Sequence, residues 1–174
     1  MAIAPMELGR AVRRWTHSNA SFTVIEQTEA REGGWGDGGC WILADALASG
    51  FGLEMFGVFG HHVPGIDPTP RLQHVVLKAG KGYIDQDGYQ TEATFRRNYL
   101  KWEGVAVDSV EPVNRARMEQ TKFPRPSMQP AIIAAIKQLL PLAGSEVPQV
   151  KPRKSKCKQE PKKCPAAHDR HNTS

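Results

Sequence analysis

Three scattered cysteines in 174 residues make no disulfide framework. That excludes the small stapled scaffolds of secreted proteins and fits a reducing cytoplasm. No apolar stretch approaches the roughly 20 residues that a membrane helix needs, so no membrane partner is expected. A secretory leader is not expected either: Met1 to Met6 is a short apolar run, and Arg10, Arg13 and Arg14 follow it. Aromatic residues make up 7 % of the chain and are scarce where it is basic, which leaves little for stacking on nucleic-acid bases. There is no internal repeat. What remains, at 40 % hydrophobic residues, suffices for one domain with a real core.

The formal charge of +5 is a local property. Residues 151–174 hold eight Lys/Arg against two acids, leaving fifteen against sixteen in the rest. After Gly144 periodicity disappears and Lys, Pro, Gln and Ser dominate. The expectation is a domain over residues 1–144 and a basic, disordered tail over 145–174. At most, the tail would contact nucleic acid or an acidic partner weakly and electrostatically, in a salt-sensitive way.

The most informative stretch is Gly33-Gly-Trp-Gly-Asp-Gly-Gly-Cys40-Trp-Ile-Leu-Ala-Asp-Ala-Leu47. Its glycines let the backbone turn sharply before Cys40. Helix formers follow, with Cys40, Leu43, Ala44 and Leu47 on one face. A cysteine is thereby set in the first turn of a helix, where unpaired N–H groups favour negative charge. The same position equally suits a small buried core residue.

Elsewhere, Glu7 to Trp15 reads as a helix with Leu8, Ala11, Val12 and Trp15 on one stripe. Ser21 to Ile25 reads as an edge strand. Gly50 or Gly52 ends the Cys40 helix, Leu53 to Phe59 is a strand, and His61 to Pro70 is a loop. Thr91 to Trp102 is a helix carrying Phe95, Tyr99 and Trp102, stopped by Gly104. Val105 to Val110 alternates as a strand, and Ser127 to Leu140 is an amphipathic helix stopped by Pro141.

His74 to Gly88 reads as two short strands joined near Gly80-Lys81. A two-residue turn sets Val76 opposite Asp85 and His74 opposite Asp87, with all four side chains on one face. A histidine and two carboxylates then lie within a few ångströms of each other. Together with Cys40 they supply the three parts of thiol catalysis: a nucleophile, a base, and a group that holds the base's tautomer.

Gly-Gly-Cys40-Trp41 entering a helix, followed by His74-Val-Val-Leu and Tyr83-Ile-Asp85, resembles the papain-like and transglutaminase-like cysteine hydrolases, and the compact bacterial and phage forms most closely. The resemblance covers roughly residues 30–110 and consists of short motifs. It implies an α+β fold in which the Cys40 helix packs on a small antiparallel sheet carrying His74 and Asp85. The activities implied are peptide or isopeptide hydrolysis, deamidation or amide transfer, on a protein or peptide substrate and without a cofactor. Carried over by position, Cys40 is the nucleophile, His74 the base and then acid, and Asp85 the orienting carboxylate. Hairpin pairing alone favours Asp87 in that last role, and Asp87-Gly88 also reads as a plain turn. The oxyanion-donating glutamine of papain has no counterpart, since glycine stands near Gly34. The Cys40 N–H supplies one donor, and Trp35 is either the second or a packed lid on the loop.

Two other groupings suggest metal and are set aside. His61 and His62 near Asp67, even with His74, match no zinc spacing and read as cleft-rim residues. Cys157, Cys164, His168 and His171 are irregularly spaced and lack apolar residues around them. The alternative to an enzyme is a papain-like body without turnover, binding an acidic or nucleic-acid partner through the tail.

Overall fold

The computed structural model describes residues 3–63, 65 and 69–144, with backbone alone over 141–144. Asp67 and the 145–174 tail, with Cys157, Cys164, His168 and His171, lie outside the described residues. The chain is α+β. Its helices are α1 (Pro5–Thr16), α2 (Asn19–Ile25), α3 (Gly39–Phe51), α4 (Glu92–Glu103), α5 (Arg115–Met118) and α6 (Gln129–Gly144). Its strands are β1 (Glu54–His62), β2 (Arg71–Ala79), β3 (Gly82–Asp85), β4 (Gly88–Thr91) and β5 (Val105–Pro112). They form one antiparallel sheet in the order β4-β3-β2-β1-β5. None of the described helices is long and apolar enough to cross a membrane.

Strand alternation divides the core between the two faces of the sheet. Val75, Leu77, Ala79 and Ile84 pack with the buried faces of α1, α3 and α6, including Val12, Trp41, Leu47 and Ile136. Val76, Val58 and Tyr83 point the other way and meet Phe95 of α4. A buried carboxylate ties the helical layer together. Asp45 of α3 accepts from Arg115 Nη2 at 2.6 and 2.7 Å and from Gln129 Nε2 at 3.1 Å.

Several local expectations change. Residues 21–25 lie in helix α2, not an edge strand: Ser18 caps it, its Oγ accepting from Ser21 N–H at 3.3 Å. That cap outweighs the strand preference of Thr23, Val24 and Ile25. His61 and His62 belong to β1 because pairing with β5 continues to His62↔Val105. Helix α6 continues past Pro141 to Gly144. Gly52 ends α3 and Gly104 ends α4, both left-handed, where glycine carries no Cβ penalty.

Candidate active site

The loop before Cys40 is wound tightly enough to need its glycines. Gly33 and Gly34 N–H bond to Ala30 O at 3.2 and 3.0 Å, and Gly39 N–H bonds to Gly34 O at 3.0 Å. Gly38 sits at φ 85°, and a Cβ on Gly39 would collide with the Gly34 carbonyl oxygen. The first turn of α3 has no side-chain cap. The Cys40 N–H therefore has no partner from an earlier helical turn and is free to donate.

The β2–β3 hairpin has the expected register, with Leu77↔Ile84 and a turn at left-handed Gly80. Strand β3 stops at Asp85, so among the described residues the first half of β2 has no strand neighbour on that side. The start of α3 meets this notch: Cys40 lines a crevice with Val75, Ile84, Asp85 and Gln86. On its other side β2 has an irregularity beside His74. Val58 pairs with His74 but Phe59 pairs with Leu72, leaving Gln73 as an extra residue. Bulges of this kind re-aim neighbouring side chains.

His74 and Asp85 come together. His74 Nε2 lies 3.7 Å from Asp85 Oδ2, and the two residues are 1 % and 7 % exposed. Among the described residues neither ring nitrogen has a partner at hydrogen-bond distance. Burial acts to lower the imidazole below its ordinary value of 6.5. The nearby Cys40 and Asp85 groups outweigh it and push His74 up to about 10.

Asp87 does not oppose His74. It lies in the turn between β3 and β4, 3.5 Å from His17 Nε2. Its backbone N–H donates to Asp85 Oδ1 at 2.9 Å, so it helps fix the carboxylate. Trp35 is buried, its ring centroid 5.0 Å from that of Trp15, and its Nε1–H has no partner among the described residues. It lines neither the crevice at Cys40 nor the pocket described below. His61 Nδ1 is 2.8 Å from Asp108 Oδ2 across the β1–β5 pair. No group of three or more metal-ligating side chains clusters among the described residues.

Residues not singled out in the sequence complete the site. Gln90 Nε2 donates to both Asp85 oxygens at 3.4 and 3.5 Å, and Asn98 Nδ2 donates to Gln90 Oε1 at 2.9 Å. The Tyr99 ring lies 5.6 Å from the His74 ring and stacks on Phe95 at 5.4 Å. A pocket of about 90 Å³ opens beside Asp85, with Gln86, Tyr99 and Trp102 in its wall. Cys40 itself is 2 % exposed and lines the crevice, not this pocket. Asp85 and Gln86 line both.

No protein-family model matches this chain, and comparison with curated proteins and with solved structures yields no match. The functional reading therefore rests on the residues themselves.

Proposed function

We propose that the protein is a papain-like cysteine amidase or acyl transferase using Cys40, His74 and Asp85. What supports this is a buried imidazole 3.7 Å from a buried carboxylate, its pKa raised by the nearby Cys40 and Asp85 groups. A structural cysteine needs neither partner.

In this reading Asp85 engages Nε2 and leaves Nδ1 for the sulfur. The Cys40 thiolate forms a bond to an amide carbonyl carbon while the C=O pair moves to oxygen, where the Cys40 N–H receives it. The pair then returns, the C–N bond breaks, and the amine leaves with the proton of His74. A thioester and a neutral imidazole remain. Water, or an acceptor amine, gives a proton to His74 as it adds to the thioester. Collapse releases the acid or the new amide and restores the thiolate and imidazolium.

The test is a single-turnover reaction with p-nitrophenyl acetate, which acylates an active thiolate without a particular side-chain requirement. A stoichiometric nitrophenolate burst is expected, lost in Cys40→Ala and strongly slowed in His74→Ala. A second reading draws on the closed crevice over Cys40: the same body without turnover, acting as a binder. No burst, together with cellular activity that survives Cys40→Ala, would favour it.

A further inference from the structure

We propose that the Tyr99 hydroxyl is the second oxyanion donor of this site, a role that rests on the acyl-transfer reading above. One donor, the Cys40 N–H, is supplied by the helix start. Papain's glutamine position holds glycine here, and Trp35 is packed into the core on Trp15. Tyr99 approaches His74 from the opposite layer. Its ring lies on His74 at 5.6 Å, and it lines the open pocket beside Asp85 and Gln86. Among the described residues the Tyr99 hydroxyl has no hydrogen-bond partner.

A donor to an oxyanion has to keep its own proton. Burial first, then the negative charges of Cys40, Glu103, Asp85 and Asp37, raise the Tyr99 phenol well above its ordinary value. It therefore remains a neutral O–H wherever the thiol chemistry runs. As the S–C bond forms and the carbonyl pair moves to oxygen, Tyr99 donates a hydrogen bond to that oxygen. No proton is transferred, and the bond relaxes when the C=O reforms.

Tyr99→Phe in the full chain removes the oxygen and keeps the ring against His74 and Phe95. Two rates on the same sample separate the roles. The p-nitrophenyl acetate burst passes through an oxyanion: the S–acyl bond forms and the C–O bond to nitrophenolate breaks. Iodoacetamide alkylation of Cys40 displaces iodide at a saturated carbon and forms no oxyanion. The burst rate is expected to fall about ten- to a thousandfold, with alkylation changed less than about twofold. An unchanged burst overturns the role. A parallel fall in both rates also overturns it, because Tyr99 would then act by positioning His74 or the sulfur. A wild-type chain that alkylates at Cys40 yet gives no burst overturns the acyl-transfer reading together with this role. That outcome is distinct from a normal burst in Tyr99→Phe, which overturns the role alone.

Discussion

Nε2 of His74 lies 3.7 Å from Oδ2 of Asp85, and the two side chains come from neighbouring strands of one hairpin. The carboxylate is itself held by the Asp87 N–H and by Gln90, which Asn98 orients. Such support fixes the carboxylate's direction beside the ring.

Asp85→Asn is therefore expected to reduce the burst rate by roughly 10²- to 10⁴-fold, since the amide can stabilise the wrong imidazole tautomer. Far-UV circular dichroism should show the fold retained. A burst within a fewfold of wild type would mean that Asp85 does not orient the base.

The His74 shift makes stability depend on pH. The unfolded imidazole titrates near 6.5 and the native one near 10. Between those values the native state holds a proton that the unfolded chain has released, so this group's contribution falls as pH rises. It is fully present below pH 6.5 and lost through about 10. Urea midpoints of wild type should decline across that window relative to those of His74→Gln. Parallel curves for the two proteins would contradict the shift.

Gly39→Ala tests how the nucleophile is carried. The new Cβ would meet the Gly34 carbonyl oxygen and lie 2.7 Å from Ile25 Cδ1. A loss of about 1–3 kcal/mol is expected from crowding of this kind. Cys40 alkylation should slow too, because the backbone beside the sulfur has to shift. Unaltered stability and reactivity would show the loop to be looser than its hydrogen bonds imply.

Asp45→Asn addresses the scaffold apart from the chemistry. It removes the charge that Arg115 grips with two short bonds. Because Arg115 is half exposed, its charge remains solvated, and a loss of about 2 kcal/mol by urea titration is expected. The burst should be unaffected under folding conditions. A burst that disappears while the protein stays folded would tie Asp45 to the site.

The parts legible in the sequence are those set by local chemistry. The Gly80 turn and the alternation around it fix which residues of β2 and β3 oppose each other and set His74 and Asp85 on one face, although pairing alone pointed to Asp87 as the partner of His74. The stripe Leu8, Ala11, Val12 and Trp15 is buried as its spacing requires. Illegible features depend on partners far away in the chain. Asp87 is turned toward His17 because β3 ends early and the β3–β4 turn docks on α1, where Thr16 Oγ1 donates to Gln86 O at 2.6 Å. Strand β4 is four residues long and begins at a glycine, too little pattern to separate from a turn. Tyr99 lay within a visible aromatic stripe with Phe95. Its one distinguishing feature was a hydroxyl on an otherwise apolar face, and only the packing of α4 on the sheet brings it to His74.

The most direct measurement is iodoacetamide alkylation at pH 6 followed by peptide mapping, in wild type and in His74→Ala. Cys157 and Cys164 serve as references within the same chain. Cys40 is expected to react at least about tenfold faster than either, and to lose that advantage when the imidazole is removed. A Cys40 that reacts no faster than the two reference cysteines, or that is indifferent to His74→Ala, would contradict the nucleophile–base pair.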